Sequence, residues 1–503
     1  MKQASRAVVV GGGFGGLAAA IRLAARGHRV QLVERQAQLG GRAMVFRQDG
    51  FTFDAGPTVI TAPFLLEELF ELAGRRMRDY LELVPIDPYY RVVFPDGRQF
   101  DYVGDLERTL DQIRRFNPAD VDGYLRLRKH TAKIYGTGFE KLADVPFSKA
   151  TDMLRALPAM VRLRSDRSVY AAVSRYIKDP ALRQVFTFQP LLVGGNPFRT
   201  SSIYLLIQTL EQRFGVHFPL GGTGAIVDAL GRLARELGVE IRTSSTVERI
   251  EVSNGCATSV VLEGGARLEA DRVVCNADPG FVYGKLLGGA ERHKHTDAKL
   301  AKLRYSMGLF VAYFGLNKEH KDLAHHTIVL GPRYRELLTD VFDRKILADD
   351  FSLYLHAPTR TDRSLAPPGS ECCYVLSPVP NNQGRPIDWS SEGPRYRDRI
   401  FKALEARQIP GLRKELVTVK HLTPDHFEQA LLSVHGAGFS IEPTLRQSAY
   451  LRFHNQSEEI ANLYFVGAGT HPGAGVPGVL CSAKVLDRLI PAVGKRVALG
   501  VAA

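Results

Sequence analysis

The chain has little cysteine, and what it has follows no pairing pattern. Cys256, Cys275, Cys372, Cys373 and Cys481 are odd in number and form no C-x-x-C. That argues against a disulfide framework or a thiolate zinc site and suits a reducing cytoplasm. Long apolar runs are missing too: no uncharged stretch approaches the ~20 residues that a membrane-crossing helix needs. The longest, "YSMGLFVAYFGL" at 305–316, reads as a buried strand. "RAVVVGGG" begins so early that no secretory signal is expected. Acidic residues fall short of basic ones, 53 against 66, which leaves a formal charge of +13. Such a surface suits an anionic membrane or a nucleic acid. Without zinc-finger spacing, base-stacking aromatics or a long Lys–Arg block, no nucleic-acid partner is expected. No H-E-x-x-H occurs, and His325 and His326 are adjacent, without ligand spacing. Both are read as surface residues, and no metal is expected.

What is present is the composition of a globular protein, 45% hydrophobic and 24% charged, with 47 glycines in 503 residues. That length implies at least two subdomains. "RAVVV" at 6–10 reads as a buried strand, "LAAAIRLAARG" as a helix closed by Gly27, and "HRVQLVE" at 28–34 as a second strand. This β-turn-α-β start predicts a parallel α/β sheet. From about 104 to 215 the pattern is helical and punctuated by proline. α/β character returns near 220, with a helix closed by Gly238 and a hairpin at "SNG". A strand-rich region runs from 305 to about 380, and "NLYFVGAG" supplies a final strand. A discontinuous cofactor domain is therefore expected from 1–85, 220–300 and 455–503. Residues 86–219 and 301–454 are expected to form a substrate- and membrane-facing region.

Three motifs carry chemistry. In "GGGFGG", Gly11, Gly13 and Gly16 satisfy G-x-G-x-x-G between a strand and a helix, with Phe14 and Gly15 on the same turn. Such a turn gives a diphosphate free N–H groups and a helix N-terminus. Glu34 ends the second strand, followed by Arg35, and a carboxylate there accepts hydrogen bonds from ribose hydroxyls. "LGGRA" places Gly41 and Arg42 where a guanidinium reaches the diphosphate. "FTFDAGPTVIT" follows with a strand and a sharp turn at Gly56, Pro57 and Thr58. Near the end, "FVGAGTHPGAGVPGV" at 465–479 holds five glycines and no full charge. That suits either a plain loop or a wall around a large planar ligand.

The order of these motifs, with "PLGGTGAIVDAL" at 219–230, resembles the bacterial-type phytoene desaturases, which are FAD-dependent amine-oxidase-like flavoproteins. The resemblance runs from end to end. It implies a Rossmann-like FAD-binding domain interleaved with an α+β substrate domain that contains a helical region. It places Val247 at the adenine, Gly469 near the diphosphate, and Gly475 and Val476 near the flavin ring. Asp278 begins a segment that returns towards the cofactor. The implied reaction is desaturation of a C40 precursor, 15-cis-phytoene, towards neurosporene and lycopene, with hydride transfer to flavin N5 and loss of a proton. No catalytic side chain is assigned; His471, Asp54 and Glu442 are bases without geometric support. "PLLVGGNPF" and "LFVAYFGL" are candidate linings of an apolar tunnel. The basic amphipathic stretch at 148–168 is a candidate membrane contact, which puts the enzyme on the inner face of a membrane. A 3,4-desaturase, a carotenoid isomerase and a non-enzymatic binder of prenylated proteins are the competing readings. An amine oxidase would need an aromatic cage, which the single tryptophan, Trp389, does not provide.

Overall fold

Valine-rich segments, buried on both faces, build the centre of the molecule. In the computed structural model, which describes residues 5–288, 292–384 and 386–493, strand Arg6–Val10 pairs in parallel with Arg29–Val33 and Arg272–Cys275. Glu240–Arg242 and Leu463–Phe465 complete a five-stranded parallel sheet at its two edges. Residues 1–4 and 494–503, at the ends of the expected cofactor stretches, lie outside the described residues. A three-stranded antiparallel meander, Val247–Ser253, Cys256–Leu262 and Arg267–Glu269, packs beside this sheet. Its first hairpin turns at Asn254 and Gly255, both at positive φ, as the "SNG" signal predicts.

A second, seven-stranded sheet is drawn from other parts of the chain. Its order is Leu416–Leu422, Gly308–Leu316, Glu371–Val379, Leu353–His356, His326–Val329, Tyr90–Val93 and Gln99–Tyr102. The segment 305–316 is the buried strand that its composition predicts, covered on both faces. Phe310, Ala312 and Phe314 pack with Trp389 and Tyr396 of the helix Trp389–Arg407. Leu309, Val311 and Tyr313, on the opposite face by the two-residue alternation of a strand, turn towards a cavity. Between 106 and 214 the chain is mainly helical, with Leu106–Phe116, Val121–Gly138, Ala150–Arg162 and Leu206–Phe214 as the longer helices. The helix Tyr334–Thr339 inside the strand-rich region was not expected from the sequence.

The first and last helices, Phe14–Ala25 and Val476–Leu489, pack against each other. Ala18, Ala19 and Ala483 are fully buried in one core with Leu17, Ile21 and Leu480. Arg22, 2% exposed, donates to Asp487 on the last helix (2.7 Å) and to Glu68 on helix Pro63–Leu72 (2.9 Å). Lys484 binds the other oxygen of Glu68 at 2.8 Å. Burial works against the Glu68 charge, yet Arg22 and Lys484 hold its carboxyl below its ordinary range. One buried guanidinium thus ties three helices together. Arg22→Met leaves two half-buried carboxylates short of a partner, and denaturant unfolding should show a loss of about 3 kcal/mol at pH 7. A group with a depressed pKa loses its contribution on acidification. The gap between wild type and variant should therefore narrow as pH falls below the ordinary glutamate value.

Candidate active site

The carboxyl ends of the parallel strands open onto a cavity of about 540 Å³, lined there by Val10, Val33, Glu34 and Asn276. This is where open α/β sheets bind ligands. Two helices begin at the same cavity: Phe14 and Gly15 line it from one, Val476 and Val479 from the other. Neither helix has a side-chain N-cap or an acidic residue in its first turn. Their free N–H groups and the positive ends of both dipoles therefore face one space and favour negative charge there. Gly475, at φ +93°, turns the chain into the last helix through a conformation that favours glycine.

Charged groups frame this part of the cavity. Glu34 is buried; its Oε2 accepts from Gly12 N (2.7 Å) and its Oε1 from Gln36 N (2.8 Å). The two bonds fix the carboxylate and leave lone pairs for a ligand. Arg42 donates from Nη2 to Ser433 Oγ at 2.6 Å, while its Nε is buried without a partner. Burial lowers its pKa, and the neighbouring Asp278 opposes the shift. Asp278, whose Oδ2 is likewise without a partner, is pushed up by burial. The sequence reading missed Asn276. Its side chain sits where a Cβ on Gly13, Gly15 or Gly467 would collide with it, at 2.9, 2.5 and 2.8 Å. A polar residue immediately after strand Arg272–Cys275 was the available signal.

Of the residues read as cofactor-binding, Gly11, Gly13, Phe14, Gly15, Glu34, Arg35, Gly41, Arg42, Gly56, Pro57, Thr58, Val247, Gly475 and Val476 all line this cavity. Two do not. Gly16 packs its Cα against the strand: a Cβ there would meet Gly11 O at 1.9 Å. Gly469 is turned away, against Pro279 Cδ and Ser440 Oγ, and Gly467 and Ala468 take the cavity wall in its place.

Beyond the charged part, the cavity continues between apolar surfaces. Leu337, Leu338 and Val341 face Leu309, Val311 and Leu376 there. Leu191, Leu192 and Val193 of "PLLVGGNPF" contribute another side. The carboxyl of this part is Glu211, which accepts from the Tyr90 hydroxyl at 2.8 Å. Burial pushes its pKa to about 8, so it is protonated at neutral pH.

The candidate bases separate. Asp54 is buried against Thr223 N at 2.7 Å and does not line the cavity. Glu442, 1% exposed, is held by Arg199 and Arg304, also away from the cavity. His471 does line it. Its Nε2 lies 3.0 Å from Leu142 O and so carries the proton, which leaves Nδ1 bare and unpartnered. Burial lowers its pKa to about 4, so the ring is neutral. His325 and His326 are not surface residues: they are 5% and 0% exposed. Strand pairing places His326 opposite His356, a register that adjacent histidines do not reveal in the sequence.

Comparison with known proteins agrees with this geometry. Residues 14–484 match the family of flavin containing amine oxidoreductases. A lycopene-forming phytoene desaturase of Pseudescherichia vulneris is 52% identical over 96% of this chain and 99% of its own. The chain belongs to the bacterial-type phytoene desaturases. A neurosporene-forming phytoene desaturase of Rhodobacter capsulatus is 44% identical over 97% of this chain and 94% of its own. The fold is shared with an oxidoreductase of Methanosarcina mazei, at a TM-score of 0.62 and 18% identity, over 96% of this chain and 100% of that one. As a member of the phytoene desaturases, the chain is an FAD-dependent oxidoreductase that acts on CH–CH groups. The residues present fit FAD: Arg42 Nε and Asp278 Oδ2 are buried at the cavity without partners, and two uncapped helix starts supply N–H donors. Trp389 packs on Phe310 and Tyr396 away from the cavity, so it forms no cage around an amine.

Glu34→Gln removes the charge but keeps the bond from Gly12 N to the side-chain oxygen. FAD should bind ~10- to 100-fold more weakly, as expected for the loss of charged hydrogen bonds worth about 1.5–3 kcal/mol. Flavin absorbance retained after gel filtration measures it.

Proposed function

We propose that this enzyme desaturates 15-cis-phytoene towards neurosporene and lycopene on the apolar side of its cavity. The observation that carries the reading is the continuity of one cavity from a dinucleotide cradle to a lining of leucine and valine. A linear hydrocarbon offers no hydrogen-bond handle. Its binding rests on shape and on buried apolar area, at ~25 cal/mol per Å². Leu309, Val311, Leu337, Leu338 and Val341 supply that area, and Glu211 does not oppose it because its carboxyl is protonated. FAD, held by Glu34, Arg42 and the two helix starts, would supply a hydride acceptor, and the neighbouring carbon of the substrate would lose a proton. The protein's part is to hold the polyene in line with the cofactor and to exclude water. We also assign residues 1–85, 220–300 and 455–503 to the FAD domain, and 86–219 and 301–454 to the substrate region. The five-stranded sheet draws on the first group of segments and the seven-stranded sheet on the second, which supports this division.

One helix supports access from a membrane. No helix among the described residues is long and apolar enough to cross a bilayer. Ala150–Arg162 exposes Leu154 (65%), Leu157 (46%) and Val161 (65%) in helical spacing. Lys149, Arg155 and Arg162 flank that face, while Met160 of the same helix lines the cavity. The turn Ala449–Leu451 packs against this helix and adds Leu451, 55% exposed. An apolar face ringed by cations is the composition of an interfacial helix on anionic lipid. We place the enzyme peripherally on the cytoplasmic side of a membrane, with this helix beside the substrate's entry.

Incubation with 15-cis-phytoene in liposomes plus FAD should consume phytoene and yield neurosporene or lycopene, resolved by chromatography. Phytoene recovered unchanged while a more desaturated carotenoid is converted would overturn the substrate assignment. Leu154→Glu with Val161→Glu should abolish pelleting with anionic vesicles and leave the flavin spectrum unchanged. Undiminished pelleting would overturn the docking assignment.

A further inference from the structure

The three histidines of the seven-stranded sheet are not used by the flavin site. His325 precedes strand His326–Val329, and His356 ends the antiparallel strand Leu353–His356. His326 and His356 are fully buried and His325 nearly so. One ring nitrogen from each lies within 4.8 Å of the others. Four features show that these rings are more than core filling. First, Nε2 of His325 is buried without a hydrogen-bond partner, at a cost in stability that a bound ion would remove. Second, His326 Nδ1 and His356 Nδ1 face each other at 3.3 Å. Two nitrogens on a tetrahedral metal, each ~2.05 Å from it, are about 3.3–3.4 Å apart. Third, the outer shell is in place: His325 Nδ1 is 2.6 Å from Thr361 Oγ1, which orients that ring and leaves its Nε2 free to bind. Fourth, the Tyr354 hydroxyl lies beside the rings, hydrogen-bonded to His326 Nδ1 at 2.7 Å, and a shift of about 0.5 Å would open that contact to the N–O edge of a tetrahedral ion.

We propose that His325, His326 and His356, with the Tyr354 oxygen, form a binding site for one zinc-class divalent metal ion. Imidazole nitrogen suits this class of ion, and the near-tetrahedral edge favours zinc. Coordination by Tyr354 displaces its phenolic proton to solvent, so the ligand set then carries one negative charge against the ion's two positive ones. The site's position suggests a structural role. Tyr354 also contacts Thr58 Oγ1 at 3.0 Å, and Thr58 bonds the Tyr374 hydroxyl at 2.7 Å. Thr58, Tyr354 and Tyr374 all line the flavin-substrate cavity. A metal here would fix the wall of that cavity from behind. The inference does not depend on the identity of the substrate.

The test uses untagged, FAD-loaded protein expressed in medium supplemented with Zn²⁺ or, separately, with Co²⁺. A buried site of this kind fills during folding. Metal analysis should give about one ion per chain, and the cobalt form should show the intense visible bands of a tetrahedral N/O site. His356→Gln and His325→Gln should each lower the metal content at least ~10-fold while keeping the flavin spectrum, since loss even of an outer-shell partner costs ~10- to 100-fold and these are direct ligands. If a variant fails to fold, the cobalt spectrum of the wild type decides alone. Folded, flavin-loaded wild type with no stoichiometric metal and no cobalt bands would overturn the proposal, and the cluster would then hold water. Metal content unchanged in a folded His325→Gln/His356→Gln double variant would overturn it equally, as adventitious surface binding.

Discussion

Two helix N-termini meet at one cavity, and both are left without caps. The N–H groups of an uncapped helix start must find partners, and two dipoles of the same sign pointing at one space repel unless something electron-rich lies between them. The rest of the architecture serves this meeting. The parallel sheet holds the first helix at the end of strand Arg6–Val10, and strand Leu463–Phe465 at the sheet's edge delivers the last helix. Arg22, buried between them, ties the two helices to Pro63–Leu72. The Arg42–Asp278 neighbourhood completes a cradle in which polar atoms wait for partners that the protein does not supply.

The second requirement is the opposite of the first. A polyene chain gains nothing from aligned donors, so the cavity changes character within one continuous space. The seven-stranded sheet makes this possible by alternation. In Gly308–Leu316, every second side chain packs on the helix Trp389–Arg407, and the others face the cavity. The adjoining strand Glu371–Val379 behaves likewise, with Cys373 and Val375 in the core and Tyr374 and Leu376 at the cavity. One sheet thus carries a structural core and a wall of the cavity. The exposed leucine and valine of Ala150–Arg162, with Met160 on the same helix reaching the cavity, extend this apolar path to the surface.

Local chemistry made much of this legible in the sequence. Strand–glycine–helix order, Glu34 at a strand end and the double glycine before Arg42 each specify a local geometry, and the structure brings these residues together around one cavity. The Asn254–Gly255 hairpin and the Gly238 helix stop were legible for the same reason. What depends on long-range packing was not. Gly469 and Gly467 are equivalent on paper, and only the approach of Pro279 and Ser440 turns Gly469 away from the cavity. His325 and His326 read as polar surface because neighbouring positions say nothing of strand register, and pairing with His356 buries all three. The buried Arg22 gives no signal in an alanine-rich helix, since its partners lie 46 and 465 residues away.

The central claim is that the first and last helices hold a single flavin between their N-termini. Electron density for FAD in crystals of the loaded protein tests it most directly. The account predicts one FAD per chain, its diphosphate over the amides of Phe14–Gly16 and its ring beside Gly475–Val479. A flavin ring well resolved but distant from Gly475–Val479 would contradict it.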